Sequence, residues 1–480
     1  MLFNSIEFLV FFPVVTILYY LLPHKMRWFL LLISSCLFYM AFVPKYILIL
    51  GFTIVIDYLA GILIDKLDGS KQRIFLIISI CTNVGILFLF KYFNFFNENA
   101  SRLAHLLNWN YPISSLSIIL PIGLSFHTFQ SMSYIIEVYR GNHKPEKHFG
   151  IYALYVMYYP QLVAGPIERP QNMLWQFHTE HKIDAKRISS GLKLMAWGFF
   201  KKIVIADNLA ILVNAAYQSP ESISGLSLLL ATYFFAFQIY CDFSGYTDIA
   251  RGASRIMGIE LMENFKLPYF SKTISDFWRR WHISLSSWFT DYVYISLGGN
   301  RCSKWKWHRN LMIVFLLSGL WHGAAWTYVI WGGLNGFYLV FALWTKSLRE
   351  KLIHAIGLDK IPRIYNTIRV FISFNLICFS WIFFRATSFT NARYIIAKIV
   401  TDFSFTLNLG NVGITRYQIL LCCGVITLLA IIQMLQRSRT LSDEISKKPI
   451  LLRWGLYYVG LILVILFGVF NANSFIYFQF

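Results

Sequence analysis

Runs of apolar residues roughly 20 long recur from one end of the chain to the other, separated by short stretches where charge, proline or glycine collects. Twelve such segments stand out, near 3–22, 28–43, 46–64, 74–96, 116–138, 190–217, 223–248, 311–326, 328–344, 370–386, 417–434 and 454–472. A helix needs about 20 apolar residues to cross a ~30 Å hydrocarbon core. The pattern predicts an all-α integral membrane protein of about 11–12 transmembrane helices, with 1–480 as a single multi-pass membrane domain. Two stretches depart from it. Residues 150–165 are apolar but carry Pro160 and Gly165, with Pro166 next and basic residues on both flanks, which predicts a re-entrant segment. In 277–292 the residues Trp278, Trp281, Leu285, Trp288 and Tyr292 step by threes and fours, which predicts an amphipathic helix at the cytoplasmic interface.

Composition agrees and removes one class of function. The chain is 57% apolar and 14% charged, against about 45–50% and roughly 25% in soluble domains, so a soluble enzyme is excluded. A net charge of +20 would suit nucleic acid, but that requires a dense basic polar face, which the chain lacks. The charge is topological instead. With Met1 outside, the inside loops carry 33 Lys and Arg and the outside loops five, Lys45, Arg102, Arg393, Lys398 and Arg416. The other five, Lys91, Lys193, Lys201, Lys202 and Arg385, fall in or at the ends of spans, and both termini lie outside. The opening Met1-Leu2-Phe3-Asn4 has no basic n-region, so the first segment is expected to be a retained span. Seven scattered cysteines give no C-x-x-C and no His/Cys ligand spacing, hence no expected disulfide framework and no metal site. No outside loop reaches the ~50 residues of a small domain. Chemistry is expected in the membrane body or at its edges.

Polar residues inside a membrane are costly, so their clustering points to a site. They run from Gln238 to His322, and 116–345 with its cytoplasmic loop 249–310 is the expected catalytic core. Gln238 and Asp242, four apart, share a helix face, either as packing glue or as part of a site. Leu297-Gly298-Gly299-Asn300-Arg301, followed by Lys304, Lys306 and Arg309, suits a phosphate or a snorkelling basic collar. His322 lies 12 residues into its span from Asn310, about 18 Å deep at 1.5 Å per residue. A neutral imidazole there can be a general base for a hydroxyl or a packing hydrogen-bonder.

The stretches Phe277-Trp278-Arg279-Arg280-Trp281-His282-Ile283-Ser284-Leu285-Ser286 and Ser318-Gly319-Leu320-Trp321-His322-Gly323 resemble the membrane-bound O-acyltransferase (MBOAT) family, in its bacterial alginate-acetylating branch. Further matches are Gln161-Leu162-Val163-Ala164-Gly165-Pro166-Ile167, Tyr240-Cys241-Asp242-Phe243-Ser244-Gly245-Tyr246, Asp291-Tyr292-Val293-Tyr294-Ile295, Trp381-Ile382-Phe383-Phe384-Arg385, the Met1-Leu2-Phe3 opening and the Phe475-Ile476-Tyr477-Phe478 ending. Ser296 stands where the family pattern has proline.

The resemblance implies the MBOAT fold, with His322 as the catalytic residue and His282 as a second functional histidine. Gln238, Asp242, Trp281 and Trp321 would support a tunnel; the residues of the basic loop, apart from the resemblance, suggest that some of Arg279, Arg280, Arg301 and Lys304 hold the phosphates of such a donor. It implies transfer of an acyl group, usually acetyl, from a cytoplasmic thioester (acetyl-CoA or an acyl carrier protein) in the bacterial inner membrane, with no tightly bound cofactor. An exported polysaccharide and a separate extracytoplasmic acyltransferase would be partners, alongside membrane lipid. Alternatives are peptidoglycan O-acetylation, D-alanyl transfer to teichoic acid, and a non-enzymatic flippase for a lipid-linked sugar. The charge map makes its own testable statement: a cysteine placed at Ser303 should be labelled from the cytoplasmic side, because the ten basic residues of 249–310 resist translocation. Labelling from outside would invert the topology.

Overall fold

In hydrocarbon no water satisfies a peptide group, so a chain with these apolar runs must close its hydrogen bonds within helices. The computed structural model describes residues 1–402, 404–436, 447–470 and 475–476, and these form helices and connecting turns with no strand. Tyr477 and Phe478 of the ending, and 437–446 of the last inside loop, lie outside the described residues. Seven of the twelve marked segments are helices long and apolar enough to cross a membrane: Pro44–Lys66, Gly69–Leu106, Gly225–Ile256, Trp326–Trp344, Pro362–Arg385, Arg416–Gln436 and Ile450–Phe467. The other five are also helical but shorter or more charged. Ile6–Leu21, His24–Met40 and Leu124–Tyr139 have 16, 17 and 16 residues, Lys304–His322 begins with basic residues, and 185–218 carries Lys201, Lys202 and Asp207. Residues 116–123 are not helical, because Pro121 and Gly123, at φ 77°, delay the start to Leu124.

The chain packs into two compact units, 1–196 with 246–262, and 197–245 with 263–480. The expected core 116–345 draws on both. In the first unit, α1 (Ile47–Lys66), α2 (Gly69–Leu87) and α3 (Leu124–Tyr139) pack on one another. The next helix, α4 (Phe149–Met157), stops at Tyr158 and resumes for one turn at Tyr159–Leu162. This is the predicted broken segment, and its backbone groups are answered by side chains. The amides of Gln130 and Gln161 both donate to Tyr155 O, at 2.5 and 2.9 Å, and Tyr159 N–H donates to Ser35 Oγ at 3.0 Å. Residues 150–165 are buried throughout, so the protein itself covers the interrupted backbone.

The second unit holds most of α5 (Gly225–Ile256), then α6 (Ile274–Trp278), α7 (Ile283–Phe289), α8 (Lys304–His322), α9 (Trp326–Trp344) and α10 (Pro362–Arg385). α8 and α9 form its tightest pair. At Gly319 and Gly332 the backbones nearly touch: a Cβ on Gly319 would lie 2.3 Å from Tyr328 O, and one on Gly332 2.2 Å from Phe315 O. This is the small-residue contact that lets membrane helices approach.

Glu168, just beyond the broken segment, is buried, with Oε1 accepting the Met262 N–H at 2.6 Å. Burial pushes its carboxyl up to about 7, against the pull of that amide and of Arg169. A folded-state value above the unfolded one means the fold binds this proton more tightly. The stability it contributes is full below about pH 4.5 and is lost as pH rises through about 7. Thermal unfolding of Glu168→Gln should therefore lose less stability between pH 5 and 8 than the parent, by on the order of 3 kcal/mol. Parallel pH profiles for the two proteins would remove Glu168 from this role.

Candidate active site

The amphipathic helix expected over 277–292 is interrupted. α6 ends at Trp278, the chain turns, and α7 begins at Ile283. The break is built by His282, whose backbone sits in the left-handed region at φ 44°, ψ 56°, a strained place for a residue with a Cβ. Its Nδ1 accepts the Leu285 N–H at 3.2 Å, so the imidazole serves as the N-cap of α7. Asn264 secures the same corner, accepting Ile283 N–H on its carbonyl and Ser284 N–H on Oδ1, both at 3.0 Å. Burial pushes the His282 imidazole down to about 3, leaving it neutral at any working pH.

His322 ends α8, with Gly323 as an extended C-cap. It is 4% exposed and stands among aromatic rings, 5.0 Å from Trp331, 5.3 Å from Phe384 and 5.0 Å from Trp321 between centroids. Trp321 also lies 6.1 Å from His282, so one indole separates the two histidines. Behind them Trp281 packs on Phe277, Phe265 and Trp381 at 5.4, 5.1 and 5.2 Å, and Trp381 stacks on Trp331 at 5.7 Å. The structure thus gathers His282, His322, Trp281 and Trp321 into one aromatic-walled site.

Asp242 and Gln238 share the buried face of α5, as their spacing predicts. Asp242 is held by a residue that the sequence reading only counted as charge: Lys202 Nζ lies 2.5 Å from Asp242 Oδ1 and 2.9 Å from Asp207 Oδ1, with all three buried. Lys202 belongs to a π-helical turn, Phe200–Ala206, of the kind that often marks a functional stretch. Asp242 Oδ2 accepts the Ile476 N–H at 2.7 Å, and Lys202 Nζ lies 4.5 Å over the Phe475 ring. Next to Asp242, Phe243 packs on the His282 ring at 4.7 Å. The ion pair therefore fixes the helix face on which His282 rests. Two adjacent lysines inside an apolar run, six and five residues before Asp207, were the signal available in the sequence.

The four basic residues assigned to donor phosphates are not equivalent. Arg280 Nε is committed to Asp276 at 2.8 Å, whereas Arg279, Arg301 and Lys304 are exposed. The glycine turn exists, with Gly298 and Gly299 at φ 96° and 56°. Buried Asn310 clamps it by donating to Leu297 O at 3.0 Å and Gly299 O at 3.2 Å, a role sequence spacing did not reveal. Among the described residues no group of three or more His, Cys, Asp or Glu could hold a metal ion.

Residues 147–389 match the family model for the membrane-bound O-acyltransferase family. This chain belongs to the MBOAT family. It is 39% identical over 391 residues to the "Probable alginate O-acetylase AlgI" of Pseudomonas aeruginosa, covering 80% of this chain and 72% of the relative. It is 35% identical to the peptidoglycan O-acetyltransferase of Helicobacter pylori, over 77% and 73% of the two chains. It is 31% identical to the teichoic acid D-alanyltransferase of Bacillus subtilis, over 56% and 69%. As an MBOAT protein the chain is a multi-pass bacterial inner-membrane O-acyltransferase, as its motifs implied.

Replacing Lys202 with Met should leave two buried carboxylates without their cation. Removing one partner of a buried pair costs about 3–5 kcal/mol, so Lys202→Met should melt well below the parent, while Asp242→Asn, which keeps an acceptor for Ile476, should melt between them. An unchanged melting temperature for Lys202→Met would show that the triad carries no structural weight.

Proposed function

We propose that this MBOAT enzyme transfers acetyl from a cytoplasmic thioester, acetyl-CoA or an acyl carrier protein, to a hydroxyl acceptor on the route to O-acetylation of an exported polysaccharide. The observation that carries the reading is His322 itself, a buried imidazole at a helix end, walled by Trp321, Trp331 and Phe384. In such a water-poor setting a neutral imidazole is a competent general base. It takes the acceptor's hydroxyl proton as that oxygen attacks the thioester carbonyl. The C–S bond then breaks, and the departing thiolate receives the proton back from the imidazolium, so the imidazole returns unchanged. No covalent acyl-enzyme is needed.

Several features support the finer parts. The charge map puts the basic loop 249–310 on the cytoplasmic side, and Arg279, Arg301 and Lys304 in it are exposed, which suits a cytoplasmic phosphate-bearing donor. Both O-acetyl-transferring relatives are named for envelope or exported polymers, alginate and peptidoglycan. No outside loop is long enough for a domain that could modify a polymer itself, which fits a separate extracytoplasmic acyltransferase as partner. In this reading His282 is a positioning residue: a neutral cap that sets the corner against which Trp321 packs.

His322→Ala should lower acyl transfer by roughly 10²–10⁴ while the protein still inserts and melts near the parent temperature. Thioester consumption and acceptor acylation, measured in membranes or detergent, check it. Near-normal turnover in a folded His322→Ala protein would remove His322 from the chemistry and reopen the flippase alternative.

A further inference from the structure

The loop that joins α9 to α10 contains a helix that the acyl-transfer site does not use. Lys346–Ala355 follows α9 after a break at Thr345, and none of its residues is buried. Leu348, Leu352 and Ile356, the last at its C-cap, are spaced by four and are 61%, 53% and 66% exposed. They form one apolar row. Arg349 and Lys351 border that row on either side. Arg349 also secures the break, where Nη2 donates to Ala342 O at 2.6 Å and Nε to Thr345 Oγ1 at 3.1 Å, so a carbonyl left over at the end of α9 is satisfied.

What covers the row follows from its surroundings. Phe337, Phe341 and Trp344 are exposed on α9, a helix long and apolar enough to cross the membrane, and steps of four, three and four carry that exposed line on to Leu348. The row continues a face that meets hydrocarbon. The level at which it starts is marked by tryptophan, which collects where hydrocarbon gives way to headgroups: Trp344 is exposed and its Nε1 donates to His308 Nδ1 of α8 at 3.2 Å, and Trp305, near the start of α8, is exposed as well. Charge is the third feature. The loop 345–369 carries six Lys and Arg against Glu350 and Asp359, and the start of α8 adds exposed Lys304, Lys306 and Arg309. Lys346 and Glu350, exposed and 4.0 Å apart, make a surface pair too weak to cancel this. An apolar row bordered by bases suits a helix lying in the plane of a membrane, and the bases suit anionic headgroups of the cytoplasmic leaflet. An acidic protein would answer the charge but not the continuity with the lipid-facing side of α9.

We propose that the helix Lys346–Ala355 lies in the cytoplasmic membrane surface and binds anionic phospholipid, with Leu348, Leu352 and Ile356 among the acyl chains and Lys346 and Lys351 at the headgroup phosphates. The site is separate from acyl transfer and does not rest on it. Through Trp344 and His308 it steadies the cytoplasmic ends of α8 and α9.

The test places the photo-crosslinker p-benzoylphenylalanine at Leu352, and separately at Leu348, in the full-length protein reconstituted into phosphatidylcholine vesicles with phosphatidylglycerol as the minor lipid. Irradiation and mass spectrometry should find lipid adducts at both positions. Phosphatidylglycerol should exceed its share of the vesicle about fivefold, the attraction of one basic residue near an anionic surface. In Lys346→Gln/Lys351→Gln, whose changes are at exposed positions and leave Arg349 in place, lipid adducts should persist while phosphatidylglycerol falls to its share. Absence of lipid adducts at both positions overturns the proposal, as does crosslinking to a second copy of the chain. Phosphatidylglycerol at its bulk share in the parent, or an enrichment unchanged in the double variant, overturns it too. So does an acyl carrier protein that, added to the vesicles, is captured at Leu352 in place of lipid, which would assign the helix to a protein partner.

Discussion

Lys202, held between Asp207 and Asp242 where no water reaches, states the constraint that shapes this protein. A polar group kept inside a membrane body must find its partners within the chain. The triad meets it with opposite charges 2.5 and 2.9 Å away. Because Asp242 precedes Phe243, the same contact sets the surface on which His282 rests. The broken segment at Tyr158 meets it differently, by lending side-chain amides from Gln130 and Gln161 to a stranded carbonyl. In both places irregular backbone is tolerated because neighbours complete it.

The site shows a division of labour between two histidines that look alike in sequence. His282 spends Nδ1 on the α7 N-terminus and accepts a strained backbone to do so. Its burial keeps it neutral, which suits a structural cap. His322 sits at the end of a helix instead, and its surroundings are aromatic faces and edges. Trp321 packs on both rings, edge-on to each.

Much of this was legible in the chain. Apolar runs revealed the membrane class, and seven of them are helices long enough to cross. Pro160, Gly165 and Pro166 announced the broken segment, and the spacing of Gln238 and Asp242 placed them on one buried face. Less legible was anything set by distant residues. The period of Trp278, Trp281, Leu285, Trp288 and Tyr292 suggested one helix, because periodicity cannot register a single left-handed residue at His282. The Lys202 triad, the Asn310 clamp on the glycine turn and the commitment of Arg280 to Asp276 are tertiary contacts that spacing does not encode.

The central claim is that one histidine does the proton chemistry and the other holds its surroundings. The most direct test is the pH dependence of kcat/KM for acyl transfer, compared between the parent and His282→Asn. Asparagine tolerates the left-handed backbone and caps helices well. The account predicts an acid limb of a single proton in the parent and the same limb, at the same pH, in His282→Asn. An acid limb of two protons in the parent, or one that shifts or vanishes in His282→Asn, would contradict it by placing His282 in the reaction.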